Sequence, residues 1–582
     1  MDTHLSSIGN ALSAVPGLLK RMRGYALQNA SKFKGVADPK NILGKILGEF
    51  PGCRSKVSET MALLSGIVKE VNSLSLEQQE AELSSGFPDL KETKKGPEKK
   101  ELPRLRIGDT VPVFRFGPSP SGPMHIGHSL VLSLNATYAK EYSGRLILRL
   151  EDTNPTNIDP SAYESLPENG QWLTGNLITE VIIQSDRMEL YYSKALEILE
   201  KGFSYTCTCS AEQFRDYAGK LEECPCRNKN PSANVKDWHR MLTDMPEGGA
   251  VMRFKTDMKH PNPAMRDFPL FRICEDAHPR QGKKYRVWPL MNFAVAVDDP
   301  ELGVTHALRA KDHADNAKRQ ELIYGAMHWK VPQTMFVGRI NFTEMDLSTS
   351  STRKKIEAGE YSGWDDVRLP FLNALRRRGY QPEAFRRYAL EVGLSLADKT
   401  VSNNDFFKAI DSFNREVIEP RAKRYFFIDN PVEITVAGAP KQAVELDLHP
   451  SNMKGGRKFI THSGFLLAQE DIDLIKRLRP GTLIRLMDCI NLTVKEDKYS
   501  FDSVDYEKFK TSNGKILHWL PSDDAANIAV EVLMPDGTVR SGIGESGIDD
   551  LEEGVIVQLE RFGFCKLDKK TPGKAVFCYG HK

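Results

Sequence analysis

Hydrophobic and polar positions change their rhythm several times along this 582-residue chain. Apolar residues recur at helical spacing in Ile42-Leu-Gly-Lys-Ile-Leu47 and Met61-Ala-Leu-Leu-Ser-Gly-Ile-Val68, which predicts a helical N-terminal extension over 1–90. The charged run Lys91–Glu101, interrupted by Gly-Pro, predicts a solvated linker over 91–106. Strand-like runs then alternate with helical ones over 107–201: strands at Val111–Phe116, Arg145–Leu150 and Val181–Gln184, helices at Ser129–Tyr142 and Arg187–Lys201. This alternation predicts a parallel α/β sheet. It breaks over 202–285, a Pro- and Cys-bearing insert, and resumes over 286–345. Helices dominate within 346–424, as in Leu372–Gly379. Over 425–582, short runs such as Thr482–Leu486 and Gly554–Leu559 between Gly, Pro and Asp-Gly turns predict antiparallel β-barrels.

Composition narrows this little. Hydrophobic content of 40% and charged content of 27% are ordinary for a folded protein. There is no uncharged apolar window of ~18 residues, so no membrane span is expected. The N-terminus lacks the basic start and apolar core of a secretory signal. With nine cysteines, an odd number, a reducing cytoplasm is expected rather than a disulfide framework. Net charge is +2, so a nucleic-acid partner would have to be recognised through local patches.

The most informative segment is Val111-Pro-Val-Phe-Arg-Phe-Gly-Pro-Ser-Pro-Ser-Gly-Pro-Met-His-Ile-Gly-His128. It predicts a buried strand, a Gly/Pro/Ser loop and the first turn of a helix. His125 and His128, three residues apart, share one helical face. A helix N-terminus offers free N–H groups and positive potential to a nucleotide phosphate, and Gly122 and Gly127 permit close approach. Two imidazoles can donate to phosphoryl oxygens as charge shifts. On these residues the chain resembles the class I aminoacyl-tRNA synthetases, and Arg115-Phe-Gly-Pro-Ser-Pro-Ser-Gly122 resembles their glutamyl/glutaminyl subgroup.

The resemblance implies a Rossmann-type catalytic domain carrying an inserted acceptor-stem domain, a helical stem-contact domain and C-terminal anticodon-binding barrels. It implies ATP, with Mg2+, as the substrate complex. It assigns His125 and His128 to catalysis, and Ser119, Gly122, Gly127 and both histidines to ATP. Glu151, in Leu148-Arg-Leu-Glu-Asp-Thr-Asn154, becomes the partner of the amino acid's ammonium, with Asp152 second. Arg309, in Gly303-Val-Thr-His-Ala-Leu-Arg309, stands where the glutaminyl kind has Cys. A guanidinium holds a carboxylate by paired hydrogen bonds, so Arg309, Arg115, Gly117 and Ser119 point to L-glutamate. Met291 departs from the pattern, since relatives usually carry Tyr there. The second signature, a flexible Lys-x-Ser-Lys-Ser-like loop, corresponds to Leu347-Ser-Thr-Ser-Ser-Thr-Arg-Lys-Lys-Ile356, with Ser350, Arg353 and Lys354 as catalytic candidates.

Cys207-Thr-Cys209 and Cys224-Pro-Cys226 have the makings of a four-thiolate structural zinc site, with His239 as a spare ligand. Leu375-Arg-Arg-Arg-Gly-Tyr380 and Phe385-Arg-Arg-Tyr388 mix basic and aromatic residues, as RNA-contacting helices do, or as solvated faces do. A glutamate pocket combined with barrels marks the archaeal/eukaryotic branch of the subgroup. The implied activity joins ATP and glutamate and transfers glutamate to tRNA(Glu), with tRNA(Gln) left open as a second acceptor, by a monomer that needs tRNA even for activation. A glutamine-specific enzyme and a non-catalytic tRNA-binding paralogue are the alternatives. Arg309 and Ser119 oppose the first, and the intact histidines oppose the second.

Overall fold

The structure is a computed structural model that describes residues 15–582 except 33–34, 88–89, 91–101, 109, 480, 497, 513 and 524–526. The predicted linker run Lys91–Glu101 therefore lies outside the described residues. The chain divides into two units, Met1–Lys100 and Glu101–Lys582.

The first unit carries helices α1 (Leu18–Lys32), α2 (Pro39–Glu49), α3 (Val57–Asn72) and α4 (Leu76–Gly86). Their starts are locally encoded. Asp38 accepts from the Lys40 N–H ahead of α2, and Ser75 and Gln78 form a reciprocal capping box on α4. Met22, Leu27, Ile46, Leu64, Val71 and Leu83 meet in its core.

The second unit is built on strands β1 (Val113–Phe116), β2 (Arg145–Leu150) and β3 (Ile178–Ile183), followed by an insert with β4 (Ser204–Cys207), β5 (Val251–Phe254), β6 (Pro269–Ile273) and β7 (Val287–Pro289), then β8 (His306–Ala310) and β9 (Gln333–Val337). The main sheet is parallel with order β3-β2-β1-β8-β9. Strand order reverses between β1 and β8, and the crevice at that switch point is where α/β sheets bind ligands. The insert forms an antiparallel sheet, β4-β5-β6-β7. It runs past the boundary expected at 285, because Val287–Pro289 pairs with β6.

Helices cover this framework: α5 (Ile126–Glu141), α6 (Ala162–Thr174), α7 (Met188–Glu200), α8 (Ala211–Lys220), α9 (Pro231–Thr243), α10 (Met291–Glu301), α11 (Ala314–Met327), α12 (Thr349–Glu357), α13 (Leu372–Arg377), α14 (Pro382–Val392) and α15 (Asn403–Ile418). The expected flexible loop at 347–356 is instead largely α12. Ser348 caps it by accepting from the Ser351 N–H at 3.2 Å.

Beyond 422, two seven-stranded sheets follow. They are mixed rather than purely antiparallel. Ile528–Leu533 pairs in parallel with Lys574–His581, and Pro431–Ala437 with Lys498–Ser503, because long crossing segments bring non-consecutive strands side by side. A buried ion pair, Arg457–Glu545 at 2.7 Å, with Glu560 at 3.3 Å from the same guanidinium, ties the two-stranded hairpin of Gln442–His449 and Met453–Thr461 to the sheet that contains Val539–Gly544.

The basic-aromatic runs of α13 and α14 also do structural work. Arg377 forms a two-pronged pair with Asp568, and Arg378, buried, donates to the Tyr579 and Gly580 carbonyls. Tyr380 and Phe385 are buried, and the Tyr380 hydroxyl donates to Asp411 at 2.6 Å. These residues anchor the β-rich region to the helices. Arg376, paired with Glu168, and Arg387, paired with Glu416, stay exposed.

Candidate functional site: a cleft at the β1–β8 switch point

A cavity of about 430 Å3 opens at the carboxyl ends of β1 and β8. Arg115, Gly117, Ser119, His125, Gly127, His128, Glu151, Met291 and Arg309 all line it, together with His313 and Leu347. Residues far apart in the chain converge there because β1, β2 and β8 are adjacent strands that end on the same side.

The two histidines cap α5 themselves. His125 is the N-cap residue, and its Nδ1 accepts from the Gly127 N–H at 3.0 Å. His128 Nδ1 accepts in turn from the His125 N–H at 3.4 Å. The rings stack at 3.8 Å between centroids. This is the geometry of a capping box built from imidazoles. It changes the anion-site expectation. Gly127 N–H is occupied by His125, Ile126 N–H donates to the Pro370 carbonyl, and His128 N–H donates to the His125 carbonyl. The first-turn amides are thus already satisfied, and the donors left for a ligand are the imidazole Nε2–H groups. An Nδ1 that accepts a backbone N–H fixes that tautomer. Burial, reinforced at His125 by the neighbouring ring, holds both histidines below the usual value, His128 at about 4. They are neutral donors at pH 7. Gly127 is required because a Cβ there would meet the His125 ring at 2.9 Å.

A buried charge cluster forms the cleft's floor. Asp299, on α10, accepts from Arg115 at 3.2 and 3.3 Å and from Arg149 at 2.6 Å. Burial alone would raise the Asp299 carboxyl, but Arg115 and Arg149 outweigh it and hold it at about 2. Arg149 also donates to Glu151 at 3.0 Å, and a Cβ on Gly117 would run into the Glu151 carboxylate. Glycine at 117 therefore leaves that carboxylate its place at the cavity. Asp152 is committed elsewhere: it accepts from Tyr163, the Ser185 N–H and the Ser185 hydroxyl, each at 2.7 Å. Of the adjacent pair, Glu151 alone lines the cavity.

Arg309 differs from the other guanidiniums. It is 5% exposed, its Nη1 donates to the neutral Gln320 Oε1 at 2.8 Å, and among the described residues no carboxylate pairs with it. Burial, then repulsion from Arg115, lowers its affinity for its proton to about 10. It remains charged at pH 7 at the wall of a cavity, with Glu151 and Asp299 offsetting part of that charge from beyond pairing distance. Ser119 supplies the hydroxyl among the lining residues, and Met291 presents a thioether where relatives are expected to have Tyr.

Four expected residues lie outside the cavity lining: Gly122, Ser350, Arg353 and Lys354. Gly122 is covered, with Trp364 and Thr349 within 3.2 Å of the place a Cβ would occupy. Arg353 is drawn away by the Ser121 carbonyl and by Asp159 at 3.6 Å, which also accepts from the Trp364 indole at 3.1 Å. Ser350 and Lys354 face solvent on α12. Sequence reasoning overlooked Asp298, Asp299, Arg149 and Gln320. The available signal was a charged pair, Asp298-Asp299, closing the apolar run Phe293-Ala-Val-Ala-Val297.

In the insert, Cys207, Cys209, Cys224 and Cys226 bring their sulfurs within 4.8 Å of one another. Cys207–Cys224 and Cys209–Cys226 are each 3.8 Å apart. Tetrahedral zinc–thiolate bonds of about 2.3 Å place sulfurs about 3.8 Å apart, so the quartet has the dimensions of such a site. His239 is exposed on α9 and does not belong to the group.

Comparison with known proteins covers most of the chain. A family described as class I tRNA synthetases (E and Q), catalytic domain, matches residues 112–420. Two anticodon-binding domain families of the same class match 422–510 and 516–568. A glutamate–tRNA ligase of Methanobrevibacter smithii is 41% identical over 96% of this chain and 98% of its own length. One from Pyrococcus abyssi is 42% identical over the same shares. A crystal structure of a glutamate tRNA ligase from Elizabethkingia meningosepticum, 18% identical, covers 54% of this chain and 70% of its own with a TM-score of 0.39.

Proposed function

Because the chain belongs to the class I tRNA synthetases for glutamate and glutamine, we propose that it is a glutamate–tRNA ligase of the archaeal type. The observation that carries the reading is Arg309: a buried guanidinium, paired with no carboxylate among the described residues, on a cleft that both histidines also line. A buried charge without a partner is costly, so its retention in a cavity argues for an anionic ligand there.

In this reading, Arg309 holds the side-chain carboxylate of L-glutamate, and Glu151, braced by Arg149, holds its ammonium. The α-carboxylate is thereby aimed at the α-phosphorus of ATP bound with Mg2+ near Ser119 and Gly127. It attacks there to give glutamyl-adenylate, and pyrophosphate leaves. His125 and His128 donate Nε2–H bonds to phosphoryl oxygens as charge accumulates, and neutral imidazoles do so without repelling Mg2+. The terminal ribose of tRNA(Glu) then takes the glutamyl group. Ser350 and Lys354 reach the pyrophosphate only if α12 shifts, and we assign that shift to tRNA docking. Arg353 steers the Pro118–Gly122 loop through the Ser121 carbonyl. Glutamate-dependent ATP–pyrophosphate exchange without tRNA contradicts the α12 assignment.

The cysteine quartet would hold a structural zinc ion that braces the insert. Nine cysteines with no disulfide among them support a cytoplasmic setting. No helix among the described residues is long and apolar enough to cross a membrane. Aminoacylation with labelled glutamate and glutamine on tRNA(Glu) and tRNA(Gln) tests the reading. Glutamyl-tRNA(Glu) is the expected product, the tRNA(Gln) arm decides the second acceptor, and glutaminylation or no product refutes it.

A further inference from the structure

Gln320, on α11, is 3% exposed and contacts Arg309 from behind the cavity wall. Its amide cannot turn freely. Nε2 donates to Asn292 Oδ1 at 3.3 Å, which leaves Oε1 to accept from Arg309 at 2.8 Å. Asn292 is itself buried, in the first turn of α10. The same helix carries Asp299, so one element sets both the neutral and the charged partners of the cleft's arginines.

Those partners are unequal. Arg115 and Arg149 share Asp299, Arg149 also holds Glu151, and Arg187 pairs with Asp298 at 2.8 Å. Four guanidiniums of this cluster, Arg115, Arg149, Arg187 and Arg309, thus meet three carboxylates, Asp298, Asp299 and Glu151, and Arg309 is the one with no carboxylate at pairing distance. A carboxylate at 320 would have cancelled its charge, because side chains of this reach form strong paired bonds with guanidinium. The position is instead occupied by the neutral isostere. An amide oxygen restrains the direction of the guanidinium and leaves its charge for whatever enters the cleft.

We propose that Gln320 is a specificity-determining positioning residue, a neutral acceptor that aims Arg309 into the cleft without neutralising it, so that a carboxylate side chain is selected over a carboxamide. The inference rests on the glutamate-ligase reading and deepens it. Glutamate supplies the missing negative charge. Glutamine would leave the buried guanidinium without a paired carboxylate and, in addition, present its NH2 group to a guanidinium that offers only donors.

The test compares Gln320→Glu and Gln320→Met with the full-length wild-type protein, reading KM for L-glutamate, KM for ATP and the glutamate-to-glutamine ratio of kcat/KM. Gln320→Glu preserves shape and cancels the charge. KM for glutamate should rise roughly 10- to 100-fold, with the glutamate-to-glutamine ratio falling in step, the size of a lost charge-assisted contact. KM for ATP should stay within about twofold, a split that general misfolding would not produce. Gln320→Met keeps position 320 neutral but removes the restraint. KM for glutamate should then rise by less, roughly 3- to 10-fold, with discrimination against glutamine retained. Gln320→Glu with unchanged glutamate KM, or with both KM values rising together, overturns the charge argument. Gln320→Met indistinguishable from wild type overturns the positioning role, whether or not Gln320→Glu folds. A wild-type protein that cannot charge tRNA with glutamate refutes the functional reading itself, and is thereby distinguished from failure of this inference.

Discussion

His125 and His128 do two jobs that substitution can separate. As caps they satisfy the Gly127 and His125 N–H groups through Nδ1, and as ligand donors they present Nε2–H to the cleft. Asn is among the best N-cap residues, and Gln at the third helical position completes a capping box. The double change His125→Asn/His128→Gln therefore keeps the helix start and removes both imidazole donors. Removing one donor aimed at developing charge typically costs about 100- to 1000-fold in kcat, and two coupled donors cost less than the product, so a fall of roughly 1000-fold or more is expected. Thermal stability should change little. The contrasting pair His125→Ala/His128→Ala should lose the same activity and, without a cap, about 1 kcal/mol as well, a fall of roughly 1 °C in the melting midpoint of a unit as large as Glu101–Lys582. Steady-state aminoacylation at saturating glutamate and ATP, with melting curves on the same samples, reads both. If the Asn/Gln protein keeps more than about a tenth of wild-type kcat, the imidazoles are caps only, and the assignment of transition-state donors fails.

Three further outcomes follow from the geometry. His128 is held at about 4 by burial, below its unfolded value of 6.5, so between these pH values the unfolded chain binds the extra proton. Stability is full above about pH 6.5 and declines by about 3 kcal/mol as pH falls to about 4, visible as a falling urea midpoint that flattens in His128→Gln. Gly127→Ala should force the His125 ring off its cap and lower kcat about 100-fold with melting reduced, and a fully active variant would show the close packing to be dispensable. Purified protein should carry close to one equivalent of zinc, reduced in Cys224→Ser, and under about a tenth of an equivalent in wild type would remove the zinc assignment.

Local patterns in the sequence located much of this cleft, and tertiary partnerships stayed hidden. His125, His128, Arg115, Glu151 and Arg309 were legible because each ends a strand or opens a helix in a recognisable string, and the fold brings them to one cavity. The cysteine quartet was legible from spacing alone, and its sulfurs converge. Asp299 was not, because two carboxylates at the end of an apolar helix look like a solvated terminus until Arg115 and Arg149 arrive from other strands. Gln320 carries no signal of its own and acquires meaning only from facing Arg309. The arginines at 377 and 378 read equally as an RNA-contacting or a solvated face, yet their partners, Asp568, Tyr579 and Gly580, lie some two hundred residues away. The run Leu347–Ile356 was expected to be a flexible loop only through the family resemblance, and the capping capacity of Ser348 instead starts α12 there.

The central claim is that Arg309 receives the side-chain carboxylate of glutamate while the stacked histidines face the phosphoryl centre. A crystal structure with a non-hydrolysable glutamyl-adenylate analogue tests it most directly. The account predicts the side-chain carboxylate within about 3 Å of the Arg309 guanidinium, and a phosphoryl-position oxygen within hydrogen-bond reach of His125 or His128 Nε2. An analogue bound with that carboxylate turned toward solvent, or with its phosphoryl mimic away from both histidines, would contradict it.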